Sequence, residues 1–470
     1  MYNKYSKKAQ EFISHNEILD TIKWVEEKVN DKELVSNILE KAKNLKGLEH
    51  REALLLLECK FDDINNEIYN LAKYIKNKIY GKRVVLFAPI YLSNYCVNGC
   101  IYCSYNHKNK DILRRKLTQE EIIQEVKALQ DMGHKRLAIE LGEDPVNNSI
   151  DYVLESIKTI YSVNHKNGVI RRVNVNIAAT SVENYKKLKE AEIGTYILFQ
   201  ETYNKENYEK LHPFGPKHNY DYHTEAMDRA MEAGLDDVGI GVLFGLNMYR
   251  YDFVGLLMHA EHLEACMGVG PHTVSVPRIK DGNNVDSSEF NDAISDELFK
   301  KIIAVLRISM PYAGIIVSTR ESQKVREETL EIGVSQISGG SKTSVGGYTI
   351  APEEKTEQFS ITDERNLEEI VEWLLKLGYI PSFCTACYKE GRTGDRFMKL
   401  AKSGQIVNCC DPNALLTLKE YTENYGDYNV KNLASKIIEK EVENIPNEKV
   451  KGITKEYLNK KYDSKQNFRF

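Results

Sequence analysis

Apolar positions in the first 82 residues recur at helical spacing. Ile18, Ile22, Trp24, Val25 and Val29 form one stripe and Leu34, Ile38, Leu39 and Ala42 a second, and 50–59 and 68–79 continue the pattern. These helices read as an N-terminal extension, a cap or collar. At about residue 84 the rhythm changes. Short β-rich runs at 84–92, 136–141, 172–178, 195–200, 237–244, 273–278, 314–319 and 334–338 alternate with amphipathic segments near 118–132, 150–162, 182–191, 221–233, 251–267, 295–309 and 321–331. Eight strands with helices between them predict an α/β fold, a closed (β/α)8 TIM barrel over 83–345. An open doubly wound sheet is the alternative. The remainder, 346–470, reads as a mostly helical, polar C-terminal domain.

In a closed barrel, chemistry collects at the carboxyl ends of the strands. Cys96 follows the first predicted strand and Gly142-Glu143 the second. Gln200-Glu201 closes the fourth, Arg278 the sixth, Arg320 the seventh and Ser338 the eighth. These positions converge on one mouth.

Composition narrows the picture. With 64 Lys+Arg against 69 Asp+Glu in 470 residues, the chain is mildly acidic and mixed in charge, which is not the footprint of a nucleic-acid binder. No apolar run is long enough to span a membrane, and no apolar core follows Met1–Lys8 to make a secretory signal. A cytoplasmic location is expected, where thiols stay reduced and clustered cysteines are metal ligands rather than disulfides.

The nine cysteines are therefore informative. Cys59 and Cys266 fall in helical runs and read as inert core thiols. Cys96, Cys100 and Cys103 form a C-x3-C-x2-C group, and Cys384 and Cys387 form a C-x2-C followed by the pair Cys409-Cys410. Three thiolates on one loop can hold three irons of a 4Fe–4S cluster and leave the fourth open to an outside ligand. A zinc site completed by His107 is the competing reading.

Cys96-x3-Cys100-x-Tyr102-Cys103 resembles the radical SAM signature. Segments 90–103, 139–144, 173–180, 197–203 and 338–348 extend the likeness over nearly the whole chain. They resemble the aromatic-amino-acid lyase branch, which includes thiazole-pathway and FeFe-hydrogenase maturase tyrosine lyases. Both types cleave the Cα–Cβ bond of tyrosine to p-cresol and dehydroglycine. The resemblance implies that Cys96, Cys100 and Cys103 hold a cluster whose open iron chelates S-adenosylmethionine. It implies that Glu143 meets the methionine ammonium, although Leu141 stands where the family often has another glycine. It also implies that Tyr102 packs near the adenine, that Gln200 and Glu201 contact ribose or methionine, and that Arg278 contacts a carboxylate. For the last three, an ion-pair ring at the barrel rim is the competing reading. Arg320 can offer a two-pronged guanidinium to the tyrosine carboxylate, with Ser338 adding a hydroxyl; a salt bridge from Arg320 to Glu321 or another rim acid is the competing reading.

Cys384, Cys387 and Cys410 resemble the auxiliary-cluster motif of the maturase type; by spacing alone Cys409 serves as well as Cys410. His272 precedes the sixth strand, at the opposite mouth, and the resemblance makes it a ligand of a labile fifth iron beside the auxiliary cluster. The implied cofactors are two 4Fe–4S clusters, the labile iron, S-adenosylmethionine and free cysteine. The implied partners are L-tyrosine, a ferredoxin- or flavodoxin-type reductant and other FeFe-hydrogenase maturation proteins. Dehydroglycine would pass through the lumen and become carbon monoxide and cyanide on that iron. A thiazole-pathway lyase that stops at dehydroglycine, and a non-enzymatic iron–sulfur or zinc protein, are the rival functions.

Overall fold

The alternation of apolar runs and amphipathic helices closes on itself. A computed structural model describes residues 1–290, 292–349, 356–460 and 470. The barrel strands are β1 (Arg83–Ser93), β2 (Arg136–Leu141), β3 (Arg172–Asn176), β4 (Tyr196–Glu201), β5 (Val238–Val242), β6 (Thr273–Ser275), β7 (Gly314–Val317) and β8 (Gln336–Ser338). Each pairs in parallel with the next, and β8 returns to β1 with Val85 opposite Gln336 and Phe87 opposite Ser338. A (β/α)8 barrel results, and the open-sheet alternative falls. Among the described residues no helix is long and apolar enough to cross a membrane.

Local chemistry sets the element ends. Thr118 and Glu121 close a reciprocal capping box at the start of helix Gln119–Asp131. The predicted sixth strand stops at Ser275 because Pro277 has no N–H to give to a ladder; one isolated bridge, Phe244 to Arg278, survives beyond it. The helix predicted over 221–233 is two, Tyr220–Thr224 and Ala226–Glu232, broken at Glu225, whose carboxylate accepts from the Ala9 backbone N–H.

The N-terminal helices cap neither mouth. They pack on the barrel's outer helices Tyr249–Met267 and Asp296–Ser309. Tyr2 Oη donates to Glu261, and His50 bridges Glu261 and Glu17. Cys59 is buried just past the helix His50–Leu57. Cys266 is only half-buried, near the Lys4 carbonyl, so it is not the core thiol expected.

The C-terminal segment adds an element absent from the prediction. Strand β9 (Ile380–Ser382) pairs in parallel with the foot of β1, Arg83 opposite Ile380 and Val85 opposite Ser382. Helix Val407–Asn424 packs on β9. It is pinned to the barrel by Glu420, which takes both Nη atoms of Arg171 (2.8 and 2.6 Å) and lies 3.6 Å from Lys135 Nζ. All three side chains are buried. Glu420→Ala would strand two buried cations, an expected loss of about 3–5 kcal/mol. It should show as a lower denaturation midpoint and early proteolytic release of the C-terminal helices; an unchanged midpoint would contradict the clamp.

Candidate active site at the carboxyl mouth

The first cysteine loop leaves β1 at Ser93 and has no regular structure. Its shape is held by backbone bonds to neighbouring loops: Val97 N–H to Glu143 O, Gly99 N–H to Phe214 O and Ile101 N–H to Leu211 O. Beneath it, the Arg114 guanidinium donates to the carbonyls of Asn94, Tyr105 and Asn106. Gly142 is required here, since a Cβ would sit 2.4 Å from the Tyr95 carbonyl oxygen. His107 is exposed and turns its Nδ1 to the Cys96 carbonyl, an arrangement unlike the zinc-ligand reading.

Cys96, Cys100 and Cys103 line one cavity of about 240 Å³ that descends into the lumen. Burial pushes all three thiols up, Cys103 to about 11. Three soft donors on one loop beside a cavity suit an iron–sulfur cluster with one open position. Glu143 lines the same cavity and accepts from Asn98 Nδ2 (2.7 Å). Tyr102 lines it too, its hydroxyl bonded to His212 Nε2 (2.7 Å).

The two residues closing β4 part company. A register shift after Phe199 and a left-handed φ of 68° at Glu201 turn the Glu201 carboxylate into the cavity, where it pairs with Lys217 Nζ (2.8 Å). Gln200 faces away from the cavity and donates to Thr224 Oγ1. Its expected cofactor contact is corrected: it packs outside the lumen.

The arginines divide in a similar way. Arg278 does not line the cavity. Both Nε and Nη2 of its guanidinium bond Glu321, and Nη1 lies 2.8 Å from Asp296 Oδ1 and from the Ile294 carbonyl. Its expected carboxylate contact is corrected to an ion pair at the rim. Because Glu321 is spent on Arg278, it does not bind Arg320. Arg320 lies in the cavity with its guanidinium stacked 3.4 Å from the Phe359 ring centre, and no carboxylate among the described residues pairs with it. Ser338 lines the cavity and accepts from the Thr319 N–H.

Several cavity residues were not singled out from the sequence. Glu140, at the end of β2, accepts from Asn176 Nδ2 (2.8 Å) across to β3. Ser341 presents a buried hydroxyl without a partner. Gln358 and Phe359 arrive from beyond the barrel: Gln358 accepts from Tyr91 Oη and lies 3.9 Å from Cys103 Sγ. Burial holds the Glu140 carboxyl up at about 8. The unfolded chain sheds this proton near pH 4.3, about the free glutamate value. The folded chain keeps it to about 8. Across that window unfolding releases a proton, so stability falls as pH rises. Glu140→Gln should remove that slope. Its melting temperature relative to the parent should climb from about pH 5 to 8; parallel profiles would disprove the assignment.

Strand residues face the lumen at alternate positions. Carried to the foot, that alternation gives Arg136, Arg172, Thr195, Gly239, Gly314 and Gln336 where ordinary barrels stack branched apolar chains. These foot positions are small or polar, while higher in the lumen Phe87, Ile197, Phe199 and Ile316 also line the cavity.

The second cysteine group sits at that foot. Cys387 and Cys410 are hydrogen-bonded, and Cys410 also lies in the field of Cys384. The Cys384 carbonyl accepts from Arg136, and Arg83 and Arg392 stand beside the thiols. Cys409 is less buried. His272 precedes β6, packs against the Phe397 ring at a tilt of 56° and leaves its buried Nδ1 without a hydrogen-bond partner. Thr273 Oγ1 and both Asp237 carboxylate oxygens are buried without a hydrogen bond, Asp237 Oδ2 lying 3.9 Å from His272 Nε2. Unmet polar atoms beside three thiols are what a bound metal group would satisfy. Among the described residues no three His, Cys, Asp or Glu close round a single point as one ion demands; a cubane instead holds its thiolates apart at its corners.

Comparison with known proteins agrees with this anatomy. Residues 90–257 match the Radical SAM superfamily and 275–380 the Biotin and Thiamin Synthesis associated domain. The crystal structure of HydG, a maturase of the [FeFe]-hydrogenase, superposes with a TM-score of 0.94 at 53% identity, covering 98% of this chain and all of that one. HydG from Carboxydothermus hydrogenoformans gives 0.83 at 41% identity, over 96% of this chain and 99% of that one. The 2-iminoacetate synthase of Salmonella typhimurium is 28% identical over 73% of this chain and 89% of its own length.

Proposed function

As the chain belongs to the HydG family of FeFe-hydrogenase maturases, enzymes of the radical SAM superfamily, we propose that it is an L-tyrosine lyase with a second reaction site at the barrel foot. At the carboxyl mouth it would cleave the tyrosine Cα–Cβ bond to p-cresol and dehydroglycine. At the foot, dehydroglycine would become carbon monoxide and cyanide. The product would be an iron carbonyl–cyanide–cysteine unit for hydrogenase assembly by other maturation proteins.

The observation that carries this reading is the unpaired Arg320 guanidinium, in the cavity that the three cysteines line. Cys96, Cys100 and Cys103 would hold a 4Fe–4S cluster, which with S-adenosylmethionine supplies a 5′-deoxyadenosyl radical. Glu143, held by Asn98, would accept the methionine ammonium, and Tyr102 would pack against the adenine. Arg320 would grip the tyrosine carboxylate through both prongs, with Ser338 adding a hydrogen bond. That grip sets the amino group within reach of the radical. Tyr91, Gln358 and Phe359 line the cavity and would limit the access of water to it. At the other end Cys384, Cys387 and Cys410 would hold the auxiliary cluster, and His272, its Nδ1 free, would take the labile iron. The small and polar side chains at the foot of the lumen support passage between the two.

The test is anaerobic reconstitution with S-adenosylmethionine, tyrosine, iron, cysteine and reductant, followed by assay of p-cresol, carbon monoxide and cyanide. Cys387→Ser is expected to keep p-cresol and lose both gas and cyanide. If the intact protein made p-cresol but no carbon monoxide with the second cluster full, the assignment would pass to a lyase that stops at dehydroglycine.

A further inference from the structure

We propose that Arg392 is a positioning residue that sets the reduction potential of the group held by Cys384, Cys387 and Cys410, by offering unspent guanidinium N–H groups to its sulfurs. The inference rests on the reading that these three thiolates carry a 4Fe–4S cluster. It goes further by naming what stands behind the ligands.

Of the guanidinium groups beside the foot thiols, Arg83 and Arg136 are committed elsewhere. Arg83 is ion-paired, its Nε 2.6 Å from Asp411 Oδ1, and its Nη2 donates to the Ile79 carbonyl. Arg136 donates to the Cys384 carbonyl and stands over the Tyr388 ring. Arg392 differs. It is 7% exposed, and no carboxylate among the described residues pairs with it. Its Nε and Nη2 are buried without a hydrogen-bond partner. Its charge lies beside the Cys387 thiol and in the field of Cys410. Buried N–H groups are almost always bonded, so two unmet donors beside ligating thiols are placed to meet sulfur.

The turn that carries Arg392 is built to hold it there. The Arg392 N–H donates to the Cys387 carbonyl (2.8 Å), which folds the chain back just past the helical turn Ala386–Lys389. Thr393 Oγ1 donates to Asp236 Oδ2 (2.9 Å), two residues before β5, and ties the turn to the barrel. Gly394, at a left-handed φ of 50°, passes so close to Asp236 that a Cβ would lie 2.8 Å from that side chain. Arg392 is thus clamped through its own backbone and through the two residues after it.

The chemistry follows from charge. An iron–sulfur group becomes more negative by one unit when it takes an electron. Net charge and hydrogen bonds to its sulfurs are among the terms that set its potential, and groups behind the ligands supply both. A guanidinium with free N–H groups acts in each way, since it is permanently charged and donates in a fixed plane. It favours the reduced state and raises the potential.

The experiment uses the anaerobically reconstituted full chain carrying Cys96→Ser, Cys100→Ser and Cys103→Ser, so that the foot group is read alone. In this background Arg392 is compared with Arg392→Lys and Arg392→Gln. Iron and sulfide are counted first. The midpoint is then read by electron paramagnetic resonance on samples poised at set potentials. The Gln variant should be at least tenfold harder to reduce, a fall of about 59 mV for one electron. The Lys variant, which keeps the charge and loses the planar fork, should titrate between it and the parent. In the opposite background, with Cys384→Ser, Cys387→Ser and Cys410→Ser, Arg392→Gln should leave the potential of the first cysteine group unmoved. An unchanged foot midpoint at full iron and sulfide would overturn the proposal. So would an equal shift at the first group, or failure of both variants to load, which would make Arg392 a requirement of assembly instead. If the foot group took up no iron and sulfide with Arg392 intact, the reading of a second cluster would itself fail.

Discussion

Arg320→Lys is expected to cut p-cresol formation by roughly 30- to 1,000-fold, the consequence of losing about 2–4 kcal/mol from a desolvated charge-assisted contact. The geometry explains why a second cation does not suffice. The Arg320 guanidinium carbon sits over the Phe359 ring, 3.4 Å from its centre. A planar fork held there can meet both carboxylate oxygens, whereas an ammonium is a point charge that neither stacks nor bridges. Cleavage of S-adenosylmethionine should persist, because no residue assigned to that step has changed. The ratio of 5′-deoxyadenosine to p-cresol is thus the quantity to measure. It should rise steeply, and a ratio equal to the parent's would remove Arg320 from the tyrosine site.

The second large effect separates two neighbouring cysteines. Cys410→Ser is expected to lose about half of the iron and sulfide taken up on anaerobic reconstitution, and Cys409→Ser almost none. Of the two, the Cys410 thiol is the one hydrogen-bonded to Cys387 and placed in the field of Cys384; Cys409, one residue earlier on the same helix, is less buried. Adjacent helical residues point about 100° apart, so one of them alone can face a given partner. Equal iron loss in both variants would mean that the pair exchanges as ligands.

The barrel was legible because each strand is a short apolar run between amphipathic helices, and all eight stand where that rhythm put them. What escaped were local exceptions. Pro277 ends a ladder that apolar pattern alone would extend, and β9 is three residues long with Pro381 at its centre, a run no periodicity would flag. In the site, Cys96, Arg320 and Ser338 were legible as strand-end positions. The contrast between Gln200 and Glu201 depends on a bulge, and the capture of Glu321 by Arg278 depends on contact between separate loops; neither leaves a mark in linear sequence. Glu140 and Asn176 could have been found, since both fall on lumen-facing positions of β2 and β3. Gln358 and Phe359 could not, because nothing before folding indicates that a segment beyond the eighth strand returns to line the cavity.

The pairing of β9 with the foot of β1 fixes more than the C-terminal helices. Cys384 follows β9 by two residues, and Cys96 follows the far end of β1 by three, so one strand measures the interval between the two cysteine groups. At about 3.3 Å per residue, the stretch from Val85 to Ser93 spans roughly 26 Å. A ladder of backbone hydrogen bonds holds that interval, so no hinge or linker lengthens it. A small molecule freed at one end would start no farther than that interval from the other, however dilute the enzyme.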